Sequence, residues 1–226
     1  MARNQRLIIV RRIYWTIVST IDGAELAATQ AKRLANRLPA LLDAAATQFA
    51  ERGYHATTIR EVAKAIEITP GAIYFHVPTK QHLLVAVYEE GVRRILERLD
   101  KAVIGIEDPV ERLEAAIRAH LESILDTSAY ARVVIRVLPD DVPEAARELT
   151  QLRERHENRF RQLFADLSLP PERDRKLARL LLLGALNWTS VWYRRKGDDL
   201  EPLVREVMSS LGIAVDRRRA SRRSAT

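Results

Sequence analysis

Residues 57–84, TTIREVAKAIEITPGAIYFHVPTKQHLL, constrain the fold more than any other part of this 226-residue chain. Within them, Thr58 and Glu61 have the spacing of a capping box, in which a hydroxyl at a helix start and a carboxylate three residues later cap each other's backbone amides. The apolar residues Ile59 and Val62 then recur at helical spacing. A short helix is therefore predicted to begin directly after Thr58.

A second short helix is predicted in the same segment. Thr69 can cap its start, and Pro70 takes the first helical position, where a missing N–H has no cost. Pro78 ends it after about two turns, because the residue before a proline is driven out of the helical region. Thr79 and Lys80 then open a longer helix, so the predicted arrangement is two short helices joined by a tight turn and followed by a long one.

The exposed face of the second short helix carries Gly71, Ala72, Tyr74 and His76, which are small or hydrogen-bonding residues. Gly71 and Ala72 leave room for base edges, and an alanine methyl can contact a thymine methyl. A short helix of this kind, held by a preceding helix, suits insertion into a major groove. The alternative is that Tyr74 and His76 are ordinary packing residues of an amphipathic helix.

This segment resembles the DNA-binding domain of the tetracycline-repressor (TetR) family of bacterial transcription regulators. The resemblance implies an all-α fold of about nine helices. It places a helix-turn-helix DNA-binding domain of three helices at residues 33–80 and a helical ligand-binding and dimerisation domain at residues 81–214. The residues that carry it, in the family's order and spacing, are Leu42-Asp43-Ala44-Ala45, Phe49, Gly53-Tyr54, Thr57-Thr58, Val62-Ala63, Thr69, Gly71, Tyr74, His76, Pro78, Lys80 and Leu83-Leu84.

The resemblance also implies which residues contact DNA. Tyr74, His76 and Lys80 would bind phosphates. Thr58 and Thr69 would add further phosphate contacts, because they lie at helix starts, which favour anions. Arg60 either reaches a phosphate or is a solvated helix residue. The full predicted set is Thr58, Arg60, Thr69, Pro70, Gly71, Ala72, Tyr74, His76 and Lys80.

One residue departs from the family's pattern. The turn between the two short helices usually contains glycine where this chain has Glu67. A side chain there must adopt a left-handed backbone conformation, which costs roughly 1 kcal/mol for a residue other than glycine.

The net charge of +7 is concentrated at the two ends of the chain. Residues 1–38 carry +5 and residues 215–226 carry +4, which leaves −2 for the remainder. Such basic ends either add sequence-independent attraction to phosphates or serve as solubilising termini. Residues 1–32 are predicted to be a basic extension and 215–226 an Arg-rich tail, with the first helix of the domain running from about Pro39 to Arg52.

The C-terminal helices are predicted from apolar periodicity and from proline breaks. The helix around Leu180 to Trp192 is apolar nearly all round, and a second subunit is the simplest cover for such a helix in a small chain. We therefore expect a homodimer. The other predicted helices run from about Lys80 to Val103, from Asp108-Pro109 onward, from Tyr130 to Leu138, from Pro143 to Leu167 and after Pro202.

Residues 187–194, NWTSVWYR, are similar to the end of helix 8 in a TetR branch that regulates fatty-acid and steroid catabolism and responds to acyl-CoA thioesters. This similarity makes Trp188, Trp192 and Arg194 candidate ligand-binding residues. The alternative is that both tryptophans pack in the core or in the dimer. Tyr130 and His156 complete the candidate set, and His156 is expected in the core or lining a pocket rather than binding a metal.

No catalytic residue, metal site or cofactor is predicted, since the sequence contains no metal-ligand motif or phosphate-binding loop. The chain has no cysteine and no apolar run of the ~18 residues that a membrane span needs, so a bacterial cytoplasmic location is expected. The predicted function is a repressor that a small hydrophobic effector, such as an acyl-CoA thioester, releases from a palindromic operator in double-stranded DNA. The alternative is a DNA-binding adaptor whose C-terminal domain contacts proteins without a ligand.

Overall fold

The structure, a computed structural model, describes residues 24–126, 128–193 and 199–212, with the backbone alone for residues 24–36 and 75–76. The described part contains nine α-helices and no strand, which confirms the all-α prediction. The helices are α1 (Ala24–Arg52), α2 (Ile59–Ala65), α3 (Pro70–His76), α4 (Lys80–Val103), α5 (Pro109–Leu125), α6 (Ala129–Arg136), α7 (Ala146–Ala165), α8 (Arg175–Trp192) and α9 (Glu201–Ser210).

The first helix begins earlier than the sequence suggested. The prediction of a start near Pro39 was wrong, because α1 already begins at Ala24 and Pro39 lies inside it. The segment before Pro39 is rich in alanine, leucine and other strong helix formers, and this propensity carries the helix through the proline. Within the described residues, the backbone divides into two units between Pro39 and Ala40. The predicted tail at 215–226 and most of the predicted extension lie outside the described residues.

The helix starts follow the capping chemistry that the sequence predicts. The Thr58 hydroxyl accepts a hydrogen bond from the Glu61 amide at 3.2 Å, and the Glu61 carboxylate accepts one from the Thr58 amide at 2.7 Å. The hydroxyl of Thr69 caps α3, that of Thr79 caps α4, and the carboxylate of Asp108 caps α5. These caps fix where each helix begins and hence the angle at which the chain enters it.

The turn between α2 and α3 has the geometry predicted for it. Glu67 has a φ of 55°, and no other non-glycine residue in the described ranges has a positive φ. The Ile68 amide donates to the Ala63 carbonyl at 3.0 Å, which closes the end of α2. Glu67 therefore adopts a left-handed backbone conformation that only glycine adopts without strain.

The helices after α3 build one apolar core. The long helix α4 packs against α5, α6 and α7, while α5 also contacts α8 and α9. Two short 3₁₀ turns, Pro139–Asp141 and Pro143–Ala145, separate α6 from α7, so the helix predicted from Pro143 is α-helical only from Ala146. The largest fully buried side chains of this core are Leu99, Leu113, Ile117, Leu121, Phe160 and Phe164.

We predict that Glu67→Gly raises the free energy of unfolding by about 0.5 kcal/mol. The relieved left-handed strain of roughly 1 kcal/mol exceeds the extra entropy that glycine gives the unfolded chain. Urea unfolding measures the difference. Lys64→Gly is the control, because this exposed residue lies within α2, where glycine should lower stability by about 0.5–1 kcal/mol. Equal losses in the two variants would contradict the strain at Glu67.

Candidate nucleic-acid interface and its link to the C-terminal helices

Helix α3 has a buried side and an exposed side. Ile73 is buried, as is Val77 directly after the helix, whereas the Tyr74 side chain is 52% exposed. A Cβ built on Gly71 comes no closer to a neighbour than 3.9 Å, to the Thr69 hydroxyl, so the backbone there is open. The seven-residue helix therefore presents a side with little steric bulk and one exposed phenol.

The residues at the start of α2 differ in their freedom to contact a ligand. The Thr58 hydroxyl donates to the Glu61 carboxylate at 2.8 Å, and Arg52 pairs with the same carboxylate at 2.5 Å. The hydrogen bond from the Thr58 amide is the main cause that lowers the Glu61 pKa. Arg60 is exposed and makes no ion pair with any residue that the structure describes. The guanidinium of Arg60 is thus available, while the hydroxyl of Thr58 is engaged in the cap.

Lys80 is held in place at the start of α4. Its Nζ donates to the His55 carbonyl at 3.2 Å and lies 4.3 Å from the centre of the Tyr54 ring. Partial burial lowers the pKa of Lys80, and the charge of Glu61 opposes that shift. An ammonium group has three donors, so two remain for an anion. The roles of Tyr54 and His55 as supports of Lys80 were missed, although Gly53-Tyr54 had been noted as part of the family's motif.

The remaining predicted DNA contacts are placed as follows. The Thr69 hydroxyl accepts from the Ala72 amide at 3.3 Å, and Pro70 and Ala72 are both partly buried. The side chain of His76 lies outside the described residues, although its backbone ends α3. DNA contact by the whole predicted set stays a prediction.

Tyr130, a predicted ligand-binding residue, connects α6 to α1. Its buried phenol donates to Asp43 Oδ1 at 2.8 Å, and the Arg94 guanidinium lies 4.0 Å from the ring centre. Arg94 also pairs with Asp43 at 3.7 Å. Burial, followed by the hydrogen bond to Asp43, raises the pKa of Tyr130. We call this arrangement the Asp43–Tyr130–Arg94 contact.

A glycine that the sequence analysis did not single out allows α6 to lie close to α4. A Cβ built on Gly91 would come within 2.6 Å of Val134 Cγ2 and 3.1 Å of the Tyr130 carbonyl oxygen. The Tyr88 phenol, one turn earlier on α4, donates to the Val134 carbonyl at 3.1 Å. Arg136, at the end of α6, donates to the Ala50 carbonyl of α1 at 3.4 Å. Helix α6 therefore bridges α4 and α1.

The other predicted ligand-binding residues lie in different surroundings. His156 Nε2 lies 3.2 Å from His120 Nδ1 inside the C-terminal helices. Trp188 is 64% and Trp192 54% exposed on the outer side of α8, and Arg194 lies outside the described residues. Ligand binding by these residues stays a prediction.

The exposed side of α8 is apolar along its length. Leu181 is 72% exposed, and Leu177, Leu180 and Val191 are exposed beside it, together with both tryptophans. Gly184, in the middle of this stripe, has no atom within 4 Å of a Cβ built on it. Leu182, Leu183 and Leu186 are buried on the opposite side, so the prediction of a helix that is apolar nearly all round is confirmed.

Two further properties concern the described residues only. They contain no group of three or more His, Asp or Glu side chains placed to hold a metal ion. None of the helices traced in them has the length and apolarity that crossing a membrane requires.

Comparison with known proteins shows similarity in both halves of the chain. Residues 41–87 match the family described as "Bacterial regulatory proteins, tetR family", and residues 107–213 match the "Tetracyclin repressor-like, C-terminal domain". The solved structure of AibR in complex with isovaleryl coenzyme A and operator DNA has the same fold, with a TM-score of 0.64 and 23% identity. That likeness covers 78% of this chain and 96% of AibR.

Two curated relatives are HTH-type transcriptional repressors named KstR2. The protein from Mycolicibacterium smegmatis is 33% identical over 101 residues, 45% of this chain and 48% of that protein, so the chain spans about half of that relative's length. The protein from Rhodococcus jostii is 32% identical over 168 residues, 70% of this chain and 79% of that protein. Taken with the helix-turn-helix geometry of α2 and α3, these similarities show that the chain belongs to the TetR family of regulators.

Proposed function

We propose that this protein is a transcriptional repressor that binds operator DNA through α3 and is released from it by a small hydrophobic effector. The observation that carries the proposal is the two-sided character of α3, where Ile73 is buried and Tyr74 and Gly71 are exposed. The KstR2 relatives, which are HTH-type transcriptional repressors, support the same function. The proposal assigns the chain no catalytic role and places it with DNA in the bacterial cytoplasm.

Each proposed DNA contact has a distinct role. Lys80 and Arg60 would bind phosphates as cations, while Tyr74 would donate a neutral hydrogen bond to one. Gly71 and Ala72 would lie beside base edges, where a larger side chain would change the preferred sequence. His76 keeps the phosphate contact that the family resemblance implies.

A symmetric dimer is proposed to form through the apolar stripe of α8. A stripe of leucine, valine and tryptophan along one side of a helix is too apolar to remain in water and suits an isologous interface with a second copy. Gly184 would let the two α8 helices approach closely. Two copies of α3 would then read two half-sites, so the operator should be a palindrome.

The effector is proposed to be an acyl-CoA thioester. The support is the resemblance of residues 187–194 to the acyl-CoA-responsive branch, together with the fold shared with AibR, whose structure contains isovaleryl coenzyme A. The apolar core of α4 to α9 would accept the acyl chain. A series of acyl-CoA thioesters should raise the melting temperature if they bind the folded state. Failure of every chain length to do so would remove this class of effector.

Coupling between effector and DNA is proposed to pass through α6. This helix holds α1 by the Asp43–Tyr130–Arg94 contact and by the bond from Arg136 to the Ala50 carbonyl, and it lies on α4 at Gly91. A ligand that changes the position of α6 would therefore act on α1 and, through it, on the spacing of the two α3 helices. The ligand shifts the population towards the conformation that binds DNA less well.

We predict that Lys80→Ala weakens binding to operator and to nonspecific DNA alike. It should also lower the slope of log affinity against log salt by about one unit for each subunit, because one phosphate contact is lost in each. Fluorescence anisotropy at several salt concentrations measures the slope. Lys101→Ala is the matched control, since Lys101 lies in the last turn of the same helix, roughly 30 Å away at about 1.5 Å per residue. Identical slopes in the two variants would contradict the role of Lys80.

The palindromic operator is tested by sequencing the genomic fragments that the purified protein retains. We expect an enriched motif with two-fold symmetry and half-sites one helical turn of DNA apart, roughly 34 Å, or a multiple of it. The parent should sediment at micromolar concentration with about twice its chain mass of 25.8 kDa.

Leu181→Glu should sediment as a monomer and lose the symmetric motif, because it places a charge in the apolar stripe of α8. Ile104→Glu is the control and should behave as the parent, because Ile104 is an exposed aliphatic residue of similar size that lies directly after α4 and outside the stripe. A parent that enriches no motif would reject operator binding, while a Leu181→Glu dimer would reject only the interface.

A further inference from the structure

A polar chain of three side chains lies where α5, α7 and α8 meet. His120 Nε2 lies 3.2 Å from Asn187 Oδ1, and His120 Nδ1 lies 3.2 Å from His156 Nε2. The two imidazole rings stack with centres 4.9 Å apart, and the Phe160 ring lies 5.5 Å from each. We call this chain the His120–His156–Asn187 relay.

The relay lies in surroundings that disfavour charge. His120 is 2% exposed and Phe160 is fully buried beside it, whereas His156 and Asn187 are partly exposed. Burial lowers the pKa of His120 well below its ordinary value, and burial followed by the charge of Arg153 lowers that of His156 to about 4. Both imidazoles are therefore neutral at pH 7, and each has one N–H and one lone pair.

Counting donors and acceptors along the relay leaves one nitrogen, His156 Nδ1, without a partner at its end. If the Asn187 oxygen accepts from His120 Nε2–H, then His120 Nδ1 accepts from His156 Nε2–H, and His156 Nδ1 has a lone pair. If the Asn187 amide rotates by 180°, every bond reverses and His156 Nδ1 becomes an N–H donor. In both directions, His156 Nδ1 has no hydrogen-bond partner among the residues that the structure describes. It is not one of their buried unpaired atoms, so it lies at the accessible end of the relay.

A polar chain that enters an apolar core needs a reason, since the buried His120 would cost about 1–3 kcal/mol if it lost its partners, and an apolar residue would fill the same space without that risk. Three helices supply one polar residue each, and the chain ends on a nitrogen able either to donate or to accept. These properties suit the recognition of an uncharged polar group in a ligand whose apolar part fills the surrounding core. A carboxylate fits less well than an uncharged group, because the imidazole is neutral and the charges of Arg153 and Glu157 act on it in opposite directions.

We propose that the His120–His156–Asn187 relay is the polar contact of the effector site, and that His156 Nδ1 hydrogen-bonds an uncharged group of the effector, such as a thioester carbonyl. The proposal rests on the proposed function and names the residues that select a thioester over the corresponding free acid. It gives His120 and Asn187, which sequence reasoning did not assign to the ligand, the role of fixing the direction of the hydrogen bonds.

The test compares binding of octanoyl coenzyme A and free octanoate, by calorimetry at pH 7, to the full-length parent and to His156→Phe. The phenylalanine keeps a ring of similar size and removes both nitrogens. We expect thioester affinity to fall about tenfold, the value of one hydrogen bond, while affinity for operator DNA without effector is unchanged. Octanoate should bind much more weakly than the thioester to the parent.

Ser123→Ala is the matched control. Ser123 is a buried polar residue one turn from His120 on the same helix, and its hydroxyl donates to the Ala119 carbonyl. This variant removes a buried hydrogen bond from the same core without touching the relay, so its thioester affinity should equal that of the parent. Equal losses in Ser123→Ala and His156→Phe would overturn the proposal, because loosening of the core would then explain both.

The nitrogen resonances of the parent provide a second measurement that needs no variant. On saturation with octanoyl coenzyme A, the Nδ1 signal of His156 should shift, while the ring signals of the exposed His82 should not. An unchanged His156 signal, or octanoate binding as tightly as the thioester, would reject the relay as the contact while leaving acyl-CoA as the effector. A parent that binds no thioester would reject both the effector class and the relay's role.

Discussion

The Asp43–Tyr130–Arg94 contact is the interaction on which the proposed regulation depends. One buried phenol donates to a carboxylate of α1, and one guanidinium lies against both. Replacing the phenol would leave Asp43 and Arg94 paired at 3.7 Å in a partly exposed position, where an ion pair contributes only about 0–1 kcal/mol. The hydrogen bond from the buried Tyr130, at 2.8 Å, is also shorter than the other described bond between α6 and α1, from Arg136 to the Ala50 carbonyl at 3.4 Å.

The same helix, α6, connects this contact to the interior. Gly91 allows the backbone of α6 to approach α4 more closely than any side chain would permit, and Tyr88 fixes the register with its bond to the Val134 carbonyl. The His120–His156–Asn187 relay joins α5 to α7 and α8, and α4 packs on both α5 and α7. A ligand at the relay would consequently act on helices that contact α4, and α4 in turn contacts α6. Coupling by packed helices with two discrete arrangements is the usual physical route over such distances.

Local chemistry made the helix-turn-helix part of the chain predictable. The caps at Thr58 and Thr69 and the left-handed turn at Glu67 depend on residues within a few positions, and the structure confirms each of them. The predicted start of α1 was wrong, because the helix propensity of the residues before Pro39 outweighs the helix-breaking effect of the proline. Partners far apart in sequence were beyond local reasoning: nothing near Tyr130 indicates Asp43, and nothing near His156 indicates His120 and Asn187. Such pairs depend on how the helices pack against one another. Apolar periodicity and helix caps predict where a helix begins and which side is buried, but not which residues face each other across two helices.

The central claim, that effector and DNA act on each other through the phenol of Tyr130, is tested by a reciprocal titration. Operator affinity is measured with and without saturating octanoyl coenzyme A, and thioester affinity is measured with and without operator. Both are measured in the parent, in Tyr130→Phe and in Tyr88→Phe, whose phenol joins α4 to α6 and α7 but makes no hydrogen bond to α1. The account predicts the same factor in both directions for the parent, typically about 5- to 150-fold. That factor should be retained in Tyr88→Phe and approach one in Tyr130→Phe while the thioester still binds. A Tyr130→Phe protein with the parent's coupling factor would contradict the account.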